Sequence, residues 1–209
     1  MPETQPNEQR TRPTETSRRR QLRKRLFRRL GPLQAIDAIV FTEINNLPHP
    51  PAFDRLVARF SFLMTGGHAG AVVILLNAPR NPRVARRAVV GALPALWLTS
   101  FTVERVIKRF FRRRRPFIRL VRAIQVGRKP GSYSFPSGHA ASSFAAATLM
   151  GIYFPRGTPW FRLVATMVGL SRIYLGVHYP GDVLIGGMTG AVLARIYRRM
   201  LLVIFRETS

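Results

Sequence analysis

Cysteine is absent from the 209 residues, which excludes a disulfide framework and thiol chemistry alike. Acidic side chains are scarce, at 9 Asp and Glu, and there are only 4 histidines. Donors so few and so spaced do not make a metal cluster, and no metal or other cofactor is expected. No internal repeat is present. No cleavable leader is expected either, because the first apolar stretch carries Asp37 and Glu43 and lacks a small-residue cleavage site.

Positive charge, by contrast, is abundant: 34 Lys and Arg give a formal net charge of +25. In a soluble chain that balance would indicate a nucleic-acid binder. The composition is nevertheless 46% hydrophobic with 21% charged residues, so the two classes must occupy separate blocks. Apolar blocks with basic ends are the pattern of membrane spans, and no nucleic-acid partner is expected.

Residues 1–30 form a polar, then Arg-dense, tail that is too poor in apolar residues to fold alone. Its segment 17–29 suits either a basic helix on anionic lipid headgroups or a solvated tail. Residues 31–209 make one domain. Within it, Leu33, Ile36, Val40, Ile44 and Leu47 share a helical face, and 33–47 is short for a crossing, which favours an interfacial helix over a sixth span. Pro48, Pro50 and Pro51 end it, with His49 as a loop histidine. Five spans follow at about 56–78, 88–107, 137–154, 160–177 and 180–205. The first holds His68, expected as a buried histidine bonded to a neighbouring helix, and the second holds Pro94 as a potential kink. The expected fold is thus all-α, a multi-pass transmembrane helix bundle. Ala and Gly are frequent in the later spans, which permits close helix packing in lipid.

Three fragments carry chemistry. Lys108 is followed after six residues by Arg115-Pro116; Pro136-Ser137-Gly138-His139 opens the third span; Ser171-Arg172 is followed by His178 and Asp182. The span order returns all three to one membrane face. Ser137 at an N-cap leaves backbone N–H groups at a helix start, Gly138 lets an anion approach them, and such a terminus binds phosphate. Lys108 and Arg115 share a face if the helix continues beyond the membrane, and Pro116 then turns Arg115 toward the site, where its planar fork suits two phosphate oxygens. Glu104, four residues before Lys108, reads first as its helix-surface ion pair. Arg109 and Arg112 to Arg114 read as headgroup contacts or solvated charges. Pro180 fits the first position of a helix, so Asp182 lies in the first turn and can reach back to His178. A carboxylate on one ring nitrogen fixes the tautomer and frees the other nitrogen to attack.

In this order and spacing, Lys-x6-Arg-Pro, Pro-Ser-Gly-His and Ser-Arg-x5-His-x3-Asp resemble the full signature of the type 2 phosphatidic acid phosphatase family, over roughly residues 84–205. That resemblance implies a metal-independent membrane phosphatase acting on a lipid phosphate: phosphatidic acid, phosphatidylglycerophosphate or a polyprenyl diphosphate. It implies that His178 attacks phosphorus to give a phosphohistidine, that Asp182 orients it, and that His139 protonates the leaving oxygen and then activates water. Lys108, Arg115, Arg172, Ser137 and Gly138 would hold the phosphoryl oxygens. Vanadium haloperoxidases share these motifs but are soluble, which the apolar spans oppose. Rival readings are a non-catalytic lipid-phosphate binder or translocator and a membrane-anchored nucleic-acid binder; a binder needs the cations but not an oriented histidine. Five crossings put the basic tail on the catalytic face and so in the cytosol; six put the site outside, with the charge better sorted. Headgroup, chain type and oligomeric state are not legible in the residues.

Overall fold

A computed structural model describes residues 31–65, 67–119 and 123–207, and the regular elements among them are all helical. The tail and its basic segment lie outside the described residues. The chain divides into two compact units, residues 1–39 and 40–209. Helix α1, Pro32–Asn45, begins in the first unit and ends in the second.

Proline and glycine punctuate the chain after α1. Pro50 is extended and Pro51 occupies the first turn of α2, Pro51–Leu63, where a missing N–H costs nothing. Helix α3 is Gly67–Asn77. The apolar run expected as one straight span is therefore two helices, which reach the length and apolarity of a crossing only as a bent pair. His68, expected to be buried, is exposed, with its ring 5.8 Å from Phe62.

Asn81 caps α4 by accepting from the Val84 N–H at 3.4 Å, and Pro82 starts it. The helix runs Pro82–Phe110 and is, among the described residues, the one long and apolar enough to cross a membrane alone. Its stretch Thr102–Ile107 is wound as a π-helix. It stops at Phe110, and Phe111 is extended. Lys108 and Arg115 consequently do not share a helical face: four consecutive arginines repel one another, and Pro116 excludes helix at Arg115. Pro116–Arg119 is a single turn, α5.

Helices α6, Gly138–Tyr153, and α7, Thr158–Tyr174, are 16 and 17 residues long, shorter than the roughly 20 that a crossing uses. Helix α8, Pro180–Glu207, has 28 residues. The core among α3, α4, α6 and α8 is built largely of alanine, including Ala85, Ala88, Ala92, Ala95, Ala145 and Ala194. Leu184, Met188, Val192, Ile196 and Met200 lie outward on α8. Small residues inside and large apolar residues outside invert the order of a water-soluble bundle.

Glycine sets the approach of α8 to α6. A Cβ on Gly190 would meet the Ala141 carbonyl oxygen at 2.0 Å, and one on Gly186 the Ser137 carbonyl oxygen at 2.5 Å. Backbones approach this closely only where a facing position has no side chain. That contact brings the start of α8 against the start of α6, and the Ser137 N–H donates to the Asp182 carbonyl at 2.9 Å.

Candidate active site

The end of α7 places His178. Gly176 has φ +76 and lies so close to Ile124 that a Cβ would sit 2.0 Å from its carbonyl oxygen. Only glycine adopts that conformation at no steric cost. The chain then folds back, and both Val177 and His178 donate backbone N–H bonds to the Arg172 carbonyl, at 3.1 and 3.2 Å. The imidazole of His178 ends 2% exposed.

Its two nitrogens are told apart by their partners. Nδ1 lies 2.8 Å from the Ser134 carbonyl, which can only accept, so the ring proton is on Nδ1. Nε2 lies 3.3 Å from Arg115 Nη1, which can only donate, so Nε2 carries the lone pair. Burial, reinforced by the charges of Arg115 and Arg172 and opposed by Asp182, pushes His178 down to about 4. The ring is neutral at ordinary pH.

Asp182 does not take the His178 proton directly. Its Oδ2 is 3.7 Å from Nδ1, beyond hydrogen-bond reach. The carboxylate, fully buried, instead accepts from the Tyr179 N–H at 2.9 Å, from the Ser134 hydroxyl, and from Arg113 Nη1 at 2.7 Å. The first of these is the reach of a first-turn acid back to the N-cap N–H. Capping acid and histidine partner, alternatives as far as residue order goes, are thus one group. Ser134 links them, holding Nδ1 through its carbonyl and Asp182 through its hydroxyl.

Arg115, 2% exposed, directs all its N–H donors within the protein. Nε donates to the Ser132 carbonyl at 2.8 Å and Nη1 to the Val177 carbonyl at 2.8 Å as well as to His178. Nη2 reaches Ser132 Oγ at 3.1 Å and the Tyr133 carbonyl at 3.3 Å. Desolvation by burial lowers its pKa. Arg172 contrasts with it. Nη1 donates to Ser61 Oγ at 3.1 Å, while its buried Nε has no hydrogen-bond partner. Lys108, 6% exposed, is bound by both oxygens of Glu104 at 2.7 and 2.8 Å. Ser137 caps α6 and accepts from the Ala140 N–H at 3.4 Å. His139, in the first turn of α6, lies within electrostatic range of Arg172, His178, Lys108 and Arg115.

Lys108, Arg115, His139, Arg172, His178 and Asp182 therefore converge, together with the Ser137–Gly138 start of α6. Two further residues belong here that residue order does not single out. Arg113 is one of a run of basic neighbours, yet it binds Asp182 and lies 4.1 Å over the Tyr179 ring. A run of like residues hides the member with a specific role. Ser61, 111 residues from Arg172, carries no local signal. His49 lies elsewhere, bonded to Asp54 at 2.9 Å and stacked on Tyr174. Among the described residues no group of three His, Cys, Asp or Glu is disposed to hold a metal ion.

Residues 88–206 match the PAP2 superfamily. Decaprenylphosphoryl-5-phosphoribose phosphatase of Mycobacterium tuberculosis is 40% identical over 125 residues, 60% of this chain and 67% of that protein. Phosphatidylglycerophosphatase B of Bacillus subtilis is 31% identical over 107 residues, 46% of this chain and 49% of that protein. Among solved structures, that of Aquifex aeolicus LpxE aligns with a TM-score of 0.59 at 25% identity, covering 77% of this chain and 93% of that one. The chain belongs to the PAP2 superfamily, and it is a phosphoric ester hydrolase.

Proposed function

We propose that this enzyme hydrolyses the phosphate ester of a lipid at a membrane face, through a phosphohistidine on His178. The observation that carries the reading is the fixed tautomer of His178: Nδ1 is held by Ser134, and the lone pair on Nε2 faces Arg115. Nε2 attacks phosphorus while the ester P–O bond breaks, and His139 gives the departing alkoxide its proton. His139 then takes a proton from water, whose oxygen attacks phosphorus as the P–N bond breaks. Lys108, Arg172 and the start of α6 stabilise the charge on the phosphoryl oxygens, and Arg115 Nη1 exchanges Nε2 for one of them. Asp182, 3.7 Å away, favours the imidazolium by charge and fixes the ring through Ser134. The fixed cations supply what a metal would.

The substrate is inferred to be amphiphilic. Large apolar side chains outside the bundle support a membrane-embedded protein, with a lipid tail staying in the bilayer while its phosphate enters. The relatives' names favour a polyprenyl-linked phosphomonoester, with phosphatidylglycerophosphate as the next candidate. Phosphate release from a panel of purified lipid phosphates in detergent tests this. Turnover of at least one, with acid-labile, base-stable phosphate on the protein after rapid quench, is expected. Lipid binding without release from any would overturn it.

A further inference from the structure

We propose that Glu104 is a resident anion of the phosphate site, occupying it in the free enzyme and competing with the substrate phosphate for Lys108. The proposal rests on the reading of this site as a phosphate site and concerns how tightly phosphate is held there.

Glu104 is not the plain surface partner of Lys108 that its spacing suggests. The lysine is buried while the glutamate side chain is 44% exposed, so the pair runs from solvent inward to Lys108 rather than lying wholly on the outside of a helix. The carboxylate also faces a second positive element. A Cβ on Gly138 would fall 1.7 Å from Glu104 Oε1, so that oxygen rests directly against the first residue of α6. Gly138 thus leaves room for an anion at a helix N-terminus, and the anion present is part of the chain. The π-winding of Thr102–Ile107 sets the reach, since the Lys108 N–H bonds the Val103 carbonyl five residues back and the turn before the buried lysine is wider than in an α-helix. The other carboxylate of the site, Asp182, is committed to Arg113, Ser134 and Tyr179. Arg172 keeps a buried, unpartnered Nε. Lys108 and the α6 terminus are therefore the groups a phosphate takes from Glu104. On product release the carboxylate returns and expels phosphate by like charge.

The test uses full-length protein in detergent micelles, titrated calorimetrically with inorganic phosphate, alongside KM and kcat for a turned-over lipid phosphate. Glu104→Gln and Glu104→Ala should each tighten phosphate roughly tenfold, the scale of one exchanged charge-assisted hydrogen bond. KM should fall by a similar factor, and kcat should fall where phosphate release becomes limiting. In a Lys108→Met background the tightening should vanish. Unchanged or weaker phosphate binding, or a raised KM, in the Gln and Ala variants would show that Glu104 merely positions Lys108, and would overturn the proposal. Wild-type turnover alongside that result leaves the phosphatase reading standing; absent wild-type phosphate binding and turnover would remove both.

Discussion

In the proposed mechanism, two histidines divide the chemistry at the residue scale. His178→Ala should abolish turnover and covalent labelling, since no other described side chain in the site offers a held lone pair to phosphorus. His139→Ala should still trap some phosphoenzyme, and its loss should be larger for an alkyl than for an aryl phosphate, which leaves with less need of a proton. General acid help is typically worth about 10²–10⁴-fold, which sets the size of the difference. Rapid-quench labelling distinguishes them: label on His178→Ala but not on His139→Ala would mean the roles are reversed. The protonation of His178 adds a pH expectation. Its folded pKa, about 4, lies below the usual value of 6.5, so the unfolded chain takes up a proton first as pH falls. Its contribution to stability is whole above pH 6.5 and is lost as pH falls through that interval toward 4, while nucleophilic capacity persists down to about 4. With 4 histidines in the chain, a ring NMR titration assigned through His178→Ala can read it. An ordinary midpoint near 6.5 would contradict burial as the controlling influence.

At the scale of elements, the site exists because two helix starts touch. Glycines 186 and 190 let α8 lie against the backbone of α6, and the same contact delivers Asp182 to Ser134 and Ser137. Gly190→Ala puts a methyl carbon into the Ala141 carbonyl, which cannot move without its helix. Overpacking of this kind costs about 1–3 kcal/mol, and activity should fall with it because the site straddles the same contact. Gly131→Ala, where nothing lies within 4 Å, should stay within about 0.5 kcal/mol of wild type. Thermal unfolding in detergent compares them; equal stability of the two variants would refute the close-contact account.

For the whole molecule, the decisive property is where apolar bulk lies. A core rich in alanine beneath outward Leu, Met and Val gives the bundle little reason to remain in water. Alkaline carbonate and high salt should leave the protein in the membrane fraction, and detergent should extract it. Release by salt alone would mark a peripheral protein held by its +25 charge. Fixed cations imply a second expectation. Activity should persist in excess chelator, and vanadate should inhibit by imitating pentacoordinate phosphorus. Loss in chelator with recovery on adding a divalent ion would refute the metal-free mechanism.

Residue order alone determined the helical class and the membership of the three fragments. Apolar blocks, Pro and Gly breaks, and the invariable acceptor or donor character of each side chain are local properties, readable without coordinates. Where the helix after Lys108 ends was not readable: Pro116 forbids helix only at its immediate neighbour, and charge repulsion among Arg112 to Arg115 carries the break back to Phe110. Nor was the bend within residues 56–78, where α2 and α3 reach the length and apolarity of a crossing only as a bent pair. The partners of His178 depended on tertiary structure entirely. Asp182 is within reach by spacing, but packing of α8 on α6 inserts Ser134 between them, and a carbonyl then takes the proton that spacing assigned to the carboxylate. Arg113 and Ser61 became visible only through contacts spanning 69 and 111 residues. Local sequence sets what each group can do, while the choice of partner among equals is made by whichever backbone the fold brings nearest.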